Sequence, residues 1–404
     1  MAAGSKSVVI VGAGIAGLTL ALMLAKFGAR VTLVEKSPRL QEVGAGLQVA
    51  PNARKVLDAL GLGPEISALA FEPQGVEIYS AGAFQPLVTV AMGAEMRQRF
   101  GAPNVVMHRA DLADLLHRAA KRFANIDILF GVRGYDITDE GGHPVVRIDE
   151  SDGKSRLVRA FAVIGADGIY STLRTGLLGG PLPRYSGHVA YRLTAPVAVL
   201  PDLARAKNTR MFWGSGHHLV AYPLPAKGTI NLIFAAEGPK STDFAEGKKR
   251  PLPDFALRLK GALGEILRAV PDDWTYWPMG EVTTPRWTEG AIGLIGDAAH
   301  AMLPFQAQGA AMAIEDAAVL APLLVSAPSA PEALTAYEAT RRPRVERVQR
   351  LSRFNGEAYH MGWPASVARD LAVKSMGPLG QIKRLDWLWG HEPGSPPAAS
   401  AAGR

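Results

Sequence analysis

The feature that most constrains the fold is a glycine-rich turn close to the start of the chain. An apolar run over residues 8–11 leads into the turn, and three glycines follow in the spacing Gly-x-Gly-x-x-Gly: Gly12, Gly14 and Gly17. An apolar segment with helical periodicity comes next, and a second apolar run then ends in Glu35. This order of strand, glycine turn, helix, strand and acid predicts one dinucleotide-binding βαβ unit.

The parts of this turn have separate physical functions. Gly12 lets the chain turn sharply off the strand, Gly14 lets the backbone approach a pyrophosphate, and Gly17 lets the helix lie close to the sheet. The phosphates would then meet the free N–H groups at the start of the helix. Glu35 stands where an acid accepts hydrogen bonds from an adenosine ribose, and a carboxylate there disfavours a 2′-phosphate. The turn is therefore expected to hold FAD or NAD rather than NADP.

Composition bounds the class of protein. The chain has 404 residues, of which 48% are hydrophobic and 20% charged, and these values are typical of a globular protein with two domains or one elaborated α/β domain. It has no cysteine, which excludes disulfides, thiolate nucleophiles and cysteine-ligated metals. We therefore expect no metal centre, and we expect any redox chemistry to come from a bound cofactor.

The charge and hydropathy patterns favour a cytoplasmic enzyme. The net charge of +7 is too diffuse to predict nucleic-acid binding. The densest basic run, residues 341–350, is expected to form the solvent-exposed face of a late helix. The first strand is expected to begin by Ser7 or Val8, so no signal peptide is expected. No apolar run approaches the roughly 20 residues of a membrane span, so no span is expected.

Further along the chain, two acid–glycine turns follow predicted strands. They are Asp167-Gly168 and Gly296-Asp297. A glycine-bearing loop at residues 42–52 is expected either to lie over a cofactor or to be a plain connection. Periodicity predicts the other elements: a helix over residues 110–123, strands over 126–130, 145–149, 157–164, 189–197, 217–224, 229–234 and 274–282, a helix over 252–270, a strand over 291–295, a helix that ends near 324, and a helical region over 333–360.

Three motifs, taken in this order, resemble one family of flavoproteins. Gly12-x-Gly14-x-x-Gly17, Asp167-Gly168 and Gly296-Asp297 together resemble the single-component aromatic hydroxylases of the p-hydroxybenzoate hydroxylase type. The chain looks most similar to the branch of salicylate hydroxylase and 6-hydroxynicotinate monooxygenase, over about residues 8–351. The resemblance implies an FAD site made of Gly12, Gly14, Ala16, Gly17, Glu35, Lys36, Gly46, Gln48, Arg109, Asp167, Gly168, Asp297, Gln308, Gly309 and Ala310.

The predicted elements and the resemblance together imply an α/β fold. We expect a Rossmann-like FAD-binding domain with an inserted β-sheet substrate domain and a C-terminal helical region. The expected boundaries are residues 1–76, 100–180 and 286–330 for the FAD-binding domain, 77–99 and 181–285 for the substrate domain, and 331–390 for the C-terminal helices. Residues 391–404 are rich in Pro, Ser, Ala and Gly and are expected to be a disordered tail.

The reaction that the resemblance implies is hydroxylation of an electron-rich aromatic ring. FAD would be reduced by NADH or NADPH and would capture O₂ as a flavin hydroperoxide, whose distal OH passes to a ring carbon. The expected substrate is a small hydroxyaromatic acid of the salicylate kind, and 6-hydroxynicotinate or another N-heteroaromatic ring is the alternative. The protein is expected to be a monomer or a homodimer.

His218 and Tyr222 are the candidate catalytic residues, because deprotonation of the substrate's phenol makes its ring more nucleophilic. In a strand of period two they point to one face, and His217 points to the other. The branch places a histidine and a tyrosine at this spacing in the substrate pocket. The alternative is a buried histidine bonded to backbone and a packed tyrosine, both with structural roles only.

Arg192, Gln48 and Pro304 are the candidate substrate contacts. Arg192 is suited to pair with a substrate carboxylate, or else is a solvent-exposed strand residue. Gln48 stands where nicotinate-type relatives carry a histidine base, and because a glutamine takes up no proton at neutral pH, it disfavours the hydroxynicotinate reaction. Pro304 is expected against the flavin ring, and Gln306 replaces the apolar residue usual beside it.

Other protein classes share part of this pattern. A simple NAD-dependent dehydrogenase would share residues 12–35 but has no use for a Gly296-Asp297 segment. A non-catalytic binding protein on the flavoprotein fold has no need of intact cofactor glycines, Asp297 or the paired His218 and Tyr222. An amine oxidase is disfavoured, because the two acid–glycine turns together are the hydroxylase arrangement. A yellow purified protein would distinguish a flavoenzyme from the first two classes.

Overall fold

The computed structural model describes residues 6–40, 46–240 and 247–394. Part of the glycine-bearing loop, residues 41–45, lies outside these ranges, as does most of the expected tail, residues 395–404. The strands, in chain order, are β1 (Ser7–Val11), β2 (Arg30–Glu35), β3 (Gly46–Val49), β4 (Gly75–Ser80), β5 (Val88–Ala91), β6 (Val105–His108), β7 (Ile126–Phe130), β8 (Gly134–Asp139), β9 (Pro144–Asp149), β10 (Ser155–Arg159), β11 (Ala162–Gly165), β12 (Arg184–Pro196), β13 (Asn208–Gly214), β14 (His217–Leu224), β15 (Thr229–Glu237), β16 (Lys248–Lys249), β17 (Thr275–Glu281), β18 (Thr288–Glu289) and β19 (Ile292–Leu294).

The helices begin immediately after the glycine turn and dominate the end of the chain. In chain order they are α1 (Ile15–Lys26), α2 (Pro51–Ala59), α3 (Gly63–Leu69), α4 (Gly93–Phe100), α5 (Arg109–Ala120), α6 (Thr172–Gly176), α7 (Pro201–Ala204), α8 (Asp254–Leu257), α9 (Gly261–Ala269), α10 (Asp297–His300), α11 (Gly309–Ser326), α12 (Ala330–Tyr359), α13 (Ala365–Lys383) and α14 (Asp386–Trp389).

A six-stranded sheet holds the glycine turn at its centre. Its strand order is β18-β19-β11-β1-β2-β7, and all neighbours run parallel except β18 and β19. β1 lies between β11 and β2, and its residues 8–11 are buried, as an apolar strand covered on both faces requires. Helices α1 and α11 pack against each other beside this sheet. The α/β class and the Rossmann-like unit are confirmed.

A second, eight-stranded sheet carries the candidate catalytic strand. Its order is β16-β17-β12-β15-β14-β13-β4-β5, and the pairs are antiparallel apart from β13 with β4. Two separate parts of the chain build it, because β4 and β5 precede the other strands of this sheet by about ninety residues or more. This agrees with an inserted sheet domain, although the residue boundaries between domains stay a prediction.

The C-terminal helices pack on both of these units. α12 packs on α11, and α13 packs on β5 at the edge of the second sheet. One described helix, Gly309–Ser326, is long and apolar enough by length and composition to cross a membrane, and 61% of it is buried inside the fold. Because α11 packs against α1, α2 and α12, its apolar surface is accounted for by the core.

The helix expected over residues 252–270 is wrong in extent. The structure has two short helices there, α8 and α9, separated by residues 258–260, and α9 begins at Gly261. Gly261 has a φ of +70°, which favours glycine, and a Cβ on it would clash with the backbone of Gly82. The helix is interrupted because this turn packs directly against the turn at Gly82. Hydrophobic periodicity could not predict that contact, because the two turns are far apart in sequence.

The expected exposure of the basic run at residues 341–350 is also wrong in part. The run lies on α12, as predicted, but Arg341 is buried and forms ion pairs with Glu315 and Asp316 of α11. Arg344 reaches the same Glu315 carboxylate at 2.7 Å. The physical reason is that two acids buried in an apolar helix need cationic partners, and α12 supplies them.

Candidate active site

The three sequence motifs meet at one edge of the six-stranded sheet. They follow β1, β11 and β19, which are adjacent parallel strands, so their carboxyl ends share an edge. Gly12 has a φ of +106°, and a Cβ on it would clash with the carbonyl oxygen of Ala166. A Cβ on Gly296 would lie 3.1 Å from the Cβ of Ala16. The first turn therefore touches both of the acid–glycine turns, in the crevice where open α/β sheets bind ligands.

Asp167 and Arg174 connect the second turn to the third. One oxygen of Asp167, Oδ2, accepts a hydrogen bond of 2.8 Å from the Thr172 amide, and in the described part of the chain the other oxygen, Oδ1, is buried with no hydrogen-bond partner. Arg174 is buried and donates to the carbonyl oxygen of Ala298 at 2.8 Å. This buried arginine holds the Asp167 turn against α10, while the orphaned carboxylate oxygen is left for a polar ligand.

Two long helices begin at this edge with uncapped N-termini. Among the described residues no side chain caps α1 at Gly14 or α11 at Gln308, and neither helix has an acid in its first turn. Ala16 lies in the first turn of α1, and Gly309 and Ala310 begin α11. Free N–H groups and the positive end of the helix dipole therefore face the crevice, as an anionic ligand requires.

The acid at the end of β2 stands beside the first turn. Glu35 accepts hydrogen bonds of 2.9 Å from the amides of Ala13 and Ser37, which places its carboxylate next to the glycine turn. Lys36, the residue after it, is exposed. Glu35 thus has the position expected of a ribose-binding acid, and the backbone bonds fix its orientation.

A buried ionic network supports the third turn. Asp316 accepts hydrogen bonds from the Gly296 amide at 2.9 Å and from Arg341 Nε at 2.8 Å, and it contacts His300 Nε2 at 2.6 Å. Burial alone would raise the pKa of Asp316, but His300 and Arg341 outweigh it and lower that pKa to about 2. Asp316 is therefore ionised and fixes the backbone from which the exposed Asp297 projects.

The start of α11 brings the FAD site against a cavity. Gln308 is buried and accepts a hydrogen bond of 3.0 Å from Asn52. Ala307, just before it, has a φ of +53°, which is uncommon for a residue with a Cβ and is typical of functional turns. Uncapped helix starts, the orphaned oxygen of Asp167 and the exposed Asp297 carboxylate are what a diphosphate, a flavin and a ribityl chain require. The residues present therefore fit FAD.

The cavity beside this turn has a volume of about 580 Å³. Of the predicted site residues, Gln48, Pro304, Gln308 and His218 line it. His218 contacts Phe305, the residue after Pro304, with ring centroids 5.5 Å apart. Gln306, noted in the sequence beside Pro304, lines it too. Further polar side chains on its wall, which the sequence did not indicate, are Asn104, Asn355, Arg369, Gln381 and Arg384.

His218 forms a hydrogen bond with a second histidine that the sequence did not indicate. Its Nδ1 lies 2.7 Å from Nε2 of His360, which follows α12. Burial, and then the neighbouring histidines, lower the pKa of His218 well below its usual range and that of His360 to about 3. His188 lies beyond His360, with ring centroids 5.2 Å apart. Both His188 and His360 line a second cleft of about 480 Å³ that His218 does not reach.

Tyr222 and Arg192 lie outside the cavity. Side chains along β14 alternate between the two faces of the sheet, as predicted. His218 and Val220 line the cavity, and His217 packs on Phe234 on the other face. Tyr222 lies further along β14 and is buried. A Cβ on Gly46 would clash with its hydroxyl group, so the two residues are in close contact. Arg192 lies over the ring of Trp277 at 5.1 Å.

The remaining predicted cofactor residues lie on β3, at the start of α5 and in the second turn. Gly46 and Gln48 belong to β3, which pairs with β6, and Arg109 begins α5 directly after β6. The Gly46 amide donates to Asn231 Oδ1 of the second sheet at 2.8 Å. Gly168 follows Asp167 in the second turn with a φ of +79°. The roles of these individual residues in binding FAD stay predictions.

Several wall residues carry no signal in the local sequence. Asn355 donates a hydrogen bond to the side chain of Gln306, and Trp213 stacks on Tyr359 with ring centroids 4.7 Å apart. Asn355, Tyr359 and His360 come from the end of a long helix whose sequence reads as an ordinary amphipathic pattern. Only the packing of this helix end against the second sheet identifies them as part of the site.

Comparison with known proteins agrees with this geometry. The chain matches the family described as FAD binding domain over residues 5–352. It is 32% identical to 3-hydroxybenzoate 6-hydroxylase 1 of Aquipseudomonas alcaligenes, over 96% of this chain and 98% of that protein. It is 30% identical to 6-hydroxynicotinate 3-monooxygenase of Bordetella bronchiseptica, over 78% of this chain and 82% of that protein.

A solved structure extends the likeness to the whole fold. The structure of a salicylate hydroxylase substrate complex matches with a TM-score of 0.78 and 25% identity, over 98% of this chain and 99% of that one. The family match, the identity to full-length hydroxylases and the fold all agree with the convergent motifs described above. The chain therefore belongs to the FAD binding domain family and is a single-component FAD-dependent aromatic hydroxylase.

Proposed function

We propose that this enzyme uses NADH or NADPH and O₂ to hydroxylate a small hydroxyaromatic acid of the salicylate kind. The observation that carries the proposal is the position of His218. It lines the same cavity as Pro304 and as Gln308, the residue before the first turn of α11. A candidate proton acceptor and the FAD site thus share one cavity large enough for an aromatic ring. We further propose that it acts in the cytoplasm as a monomer or homodimer.

FAD, when bound, supplies the redox chemistry by accepting a hydride and activating O₂ for transfer to the ring. The protein's own task is to place the ring, exclude water and take up the phenol proton. Pro304 and Phe305 form one wall, and Gln48 and Gln306 offer amide groups to a hydroxyl or a carboxylate. His218 is the group on this wall with a ring nitrogen able to accept a proton from a phenol.

The histidine pair resolves a difficulty for His218 as an acceptor. Its lowered pKa opposes a buried imidazolium, so a lone His218 would be a poor base. If Nε2 of His218 accepts the phenol proton, the proton on Nδ1 can pass to Nε2 of His360 at 2.7 Å. His360 would then have to release its Nδ1 proton toward the second cleft that it lines, and because this Nδ1 is buried with no hydrogen-bond partner among the described residues, release requires a local opening on that side. Both rings are neutral before and after, and only their tautomers change.

A second candidate function is hydroxylation of an N-heteroaromatic ring. It is favoured by the 30% identity to a 6-hydroxynicotinate 3-monooxygenase. Gln48 lines the cavity and is able both to donate to and to accept from a ring nitrogen or its hydroxyl, but because it takes up no proton, His218 would have to be the proton acceptor for this ring as well.

The test is the consumption of NADH and NADPH by the FAD-loaded enzyme, with oxygen uptake and peroxide release recorded in parallel. The panel is salicylate, 3- and 4-hydroxybenzoate, 6-hydroxynicotinate and urate. A ring that accelerates flavin reduction and gives oxygenated product without matching peroxide identifies the substrate class. If every ring leaves reduction slow, or all oxygen returns as peroxide, the proposed substrate class is wrong.

A further inference from the structure

We propose that the ring hydroxylated by this enzyme carries an extended apolar substituent, which lies between the second sheet and α13. The inference rests on the proposed function, because it takes the ring to bind beside His218 and Pro304. We call the part of the cavity that would hold the substituent the apolar arm. Its walls are formed by Val76, Ile78, Val90, Met211, Ala368 and Ala372.

The floor of the cavity is wider than one aromatic ring needs. Met211 pairs with Val220 on one side and with Ile78 on the other, while Val76 pairs with Val90. These residues lie on four consecutive strands, β14, β13, β4 and β5, so the floor spans about 14 Å at ~4.8 Å per strand. A hydroxybenzoate ring is about as large as a Phe side chain and covers only part of this width.

The arm also extends along the strands, away from the candidate acceptor. His218 pairs with Trp213, and both line the cavity. Thr209 lies four residues before Trp213 on β13, on the same face of the sheet, and it lines the cavity as well. Four residues of an extended strand cover about 13 Å. A ring beside His218 therefore leaves the far end of the cavity for another part of the same substrate.

Helix α13 forms the wall opposite this floor. Ala368 and Ala372 are four residues apart, so they share one face of the helix, and both line the cavity with exposed surface. Their small side chains leave room between helix and sheet. Because the exposed apolar surface is continuous with the ring site, burying it against a substituent is favourable.

The charged groups here favour a neutral substituent. Arg369 lines the cavity, but its guanidinium contacts Asp370 at 2.7 Å and donates to the carbonyl oxygen of Ala358 at 2.9 Å. It also lies over the Trp213 ring at 5.3 Å. These contacts already use the charge and donors of Arg369. The six residues that define the arm are apolar, and Arg384, which also lines the cavity, is not among them. The arm is therefore suited to an alkyl chain of about five carbons rather than to a second carboxylate.

The test is calorimetric titration of the FAD-loaded, oxidised enzyme with two matched acids, 2,4-dihydroxy-6-methylbenzoate and 2,4-dihydroxy-6-pentylbenzoate. No reductant is present, so binding is measured without turnover. The pentyl acid has four more methylenes than the methyl acid. At about four-fold per fully buried methylene the gain would be about 250-fold, and with burial of only part of the chain we expect at least about thirty-fold tighter binding. We also expect its heat-capacity change on binding to be more negative, as burial of apolar surface requires.

Two variants locate the substituent. Ala368→Phe and Ala372→Phe fill the arm and should weaken the pentyl acid at least ten-fold while leaving the methyl acid within about two-fold. Val367→Phe is the matched control, because Val367 is exposed, lies on the same helix and does not line the cavity. It should leave both affinities unchanged.

The outcomes separate this inference from the function on which it rests. Equal affinities for the two acids, or an equal loss for both acids in the Ala368 and Ala372 variants, would overturn the apolar arm. Binding of salicylate or 3-hydroxybenzoate with rejection of the pentyl acid would overturn it too, while leaving the proposed function intact. If none of these rings binds, the proposed function and the arm both fall.

Discussion

At the scale of single residues, the proton acceptor is the most direct test of the site. His218→Gln should lower the rate of hydroxylation about 10²–10⁴-fold with FAD still bound, because a positioned proton acceptor contributes that much. His360→Gln keeps an amide beside His218 but has no second tautomer to pass a proton on, so it should slow hydroxylation at least ten-fold with the affinity for the ring little changed. Hydroxylation rate, ring affinity and FAD content are the measurements.

The matched control is His217→Gln, since His217 is buried next to His218 but packs on the opposite side of the sheet. It should retain its hydroxylation rate. Normal turnover in His218→Gln would remove that residue from the mechanism. Full activity in His360→Gln would show that the second histidine only packs against the first.

The pH dependence of the reaction follows from the same pair. Because burial and the neighbouring histidines lower the pKa of both His218 and His360, the two rings stay neutral near pH 6.5 and are protonated only in more acidic solution. We expect kcat/KM to show no acidic limb near pH 6.5, the usual range of a histidine. An acidic limb near pH 6.5 that disappears in His218→Gln would mean that the ring titrates normally.

Asp297 is the residue on which the third motif depends. It is exposed at the start of α10, and a Cβ on Gly309 would lie 4.0 Å from its Oδ1. Asp297→Ala should weaken FAD binding about 10- to 100-fold, the value of one hydrogen bond to a charged group. Asp254→Ala is the control, because Asp254 is exposed and begins a helix of the same length. Unchanged flavin content in the purified Asp297 variant would contradict its assignment.

At the scale of elements, local patterns predicted what depends on neighbours in the chain. The β1–α1–β2 unit and the alternation along β14 follow from periodicity, and the structure contains both. The His218–His360 bond joins residues 142 positions apart, so no local pattern could indicate it. The burial of Arg341 could have been predicted from the sequence, because Glu315 and Asp316 are two adjacent acids inside an apolar helix and require a cationic partner.

The connection between α11 and α12 should carry much of the stability of the FAD-binding half. Arg341→Met leaves Glu315 and Asp316 buried with fewer cationic partners, which should lower the free energy of unfolding by about 3–5 kcal/mol. Arg350→Met, on the exposed side of the same helix, should cost less than about 1 kcal/mol. Urea unfolding of both variants measures the difference, and equal midpoints would show that the buried network adds no net stability.

At the scale of the whole molecule, FAD should join parts of the chain that are far apart in sequence. Its predicted contacts begin at Gly12 and end at Ala310, nearly three hundred residues apart in the chain. A ligand that binds only the folded protein stabilises it by RT ln(1 + [L]/Kd), which is about 2.7 kcal/mol at one hundred times Kd.

Removal of FAD should therefore lower the Tm by several degrees, and added FAD should restore it in a concentration-dependent way. Scanning calorimetry of the holoenzyme, the stripped protein and the reconstituted protein measures this, with riboflavin as a control that lacks the adenosine diphosphate half. If riboflavin restored Tm as well as FAD does, the uncapped start of α1 and the Glu35 carboxylate would not be the binding groups. Restoration by FAD alone would show that the adenosine diphosphate half contributes to binding, as contacts at the first glycine turn and at Glu35 require.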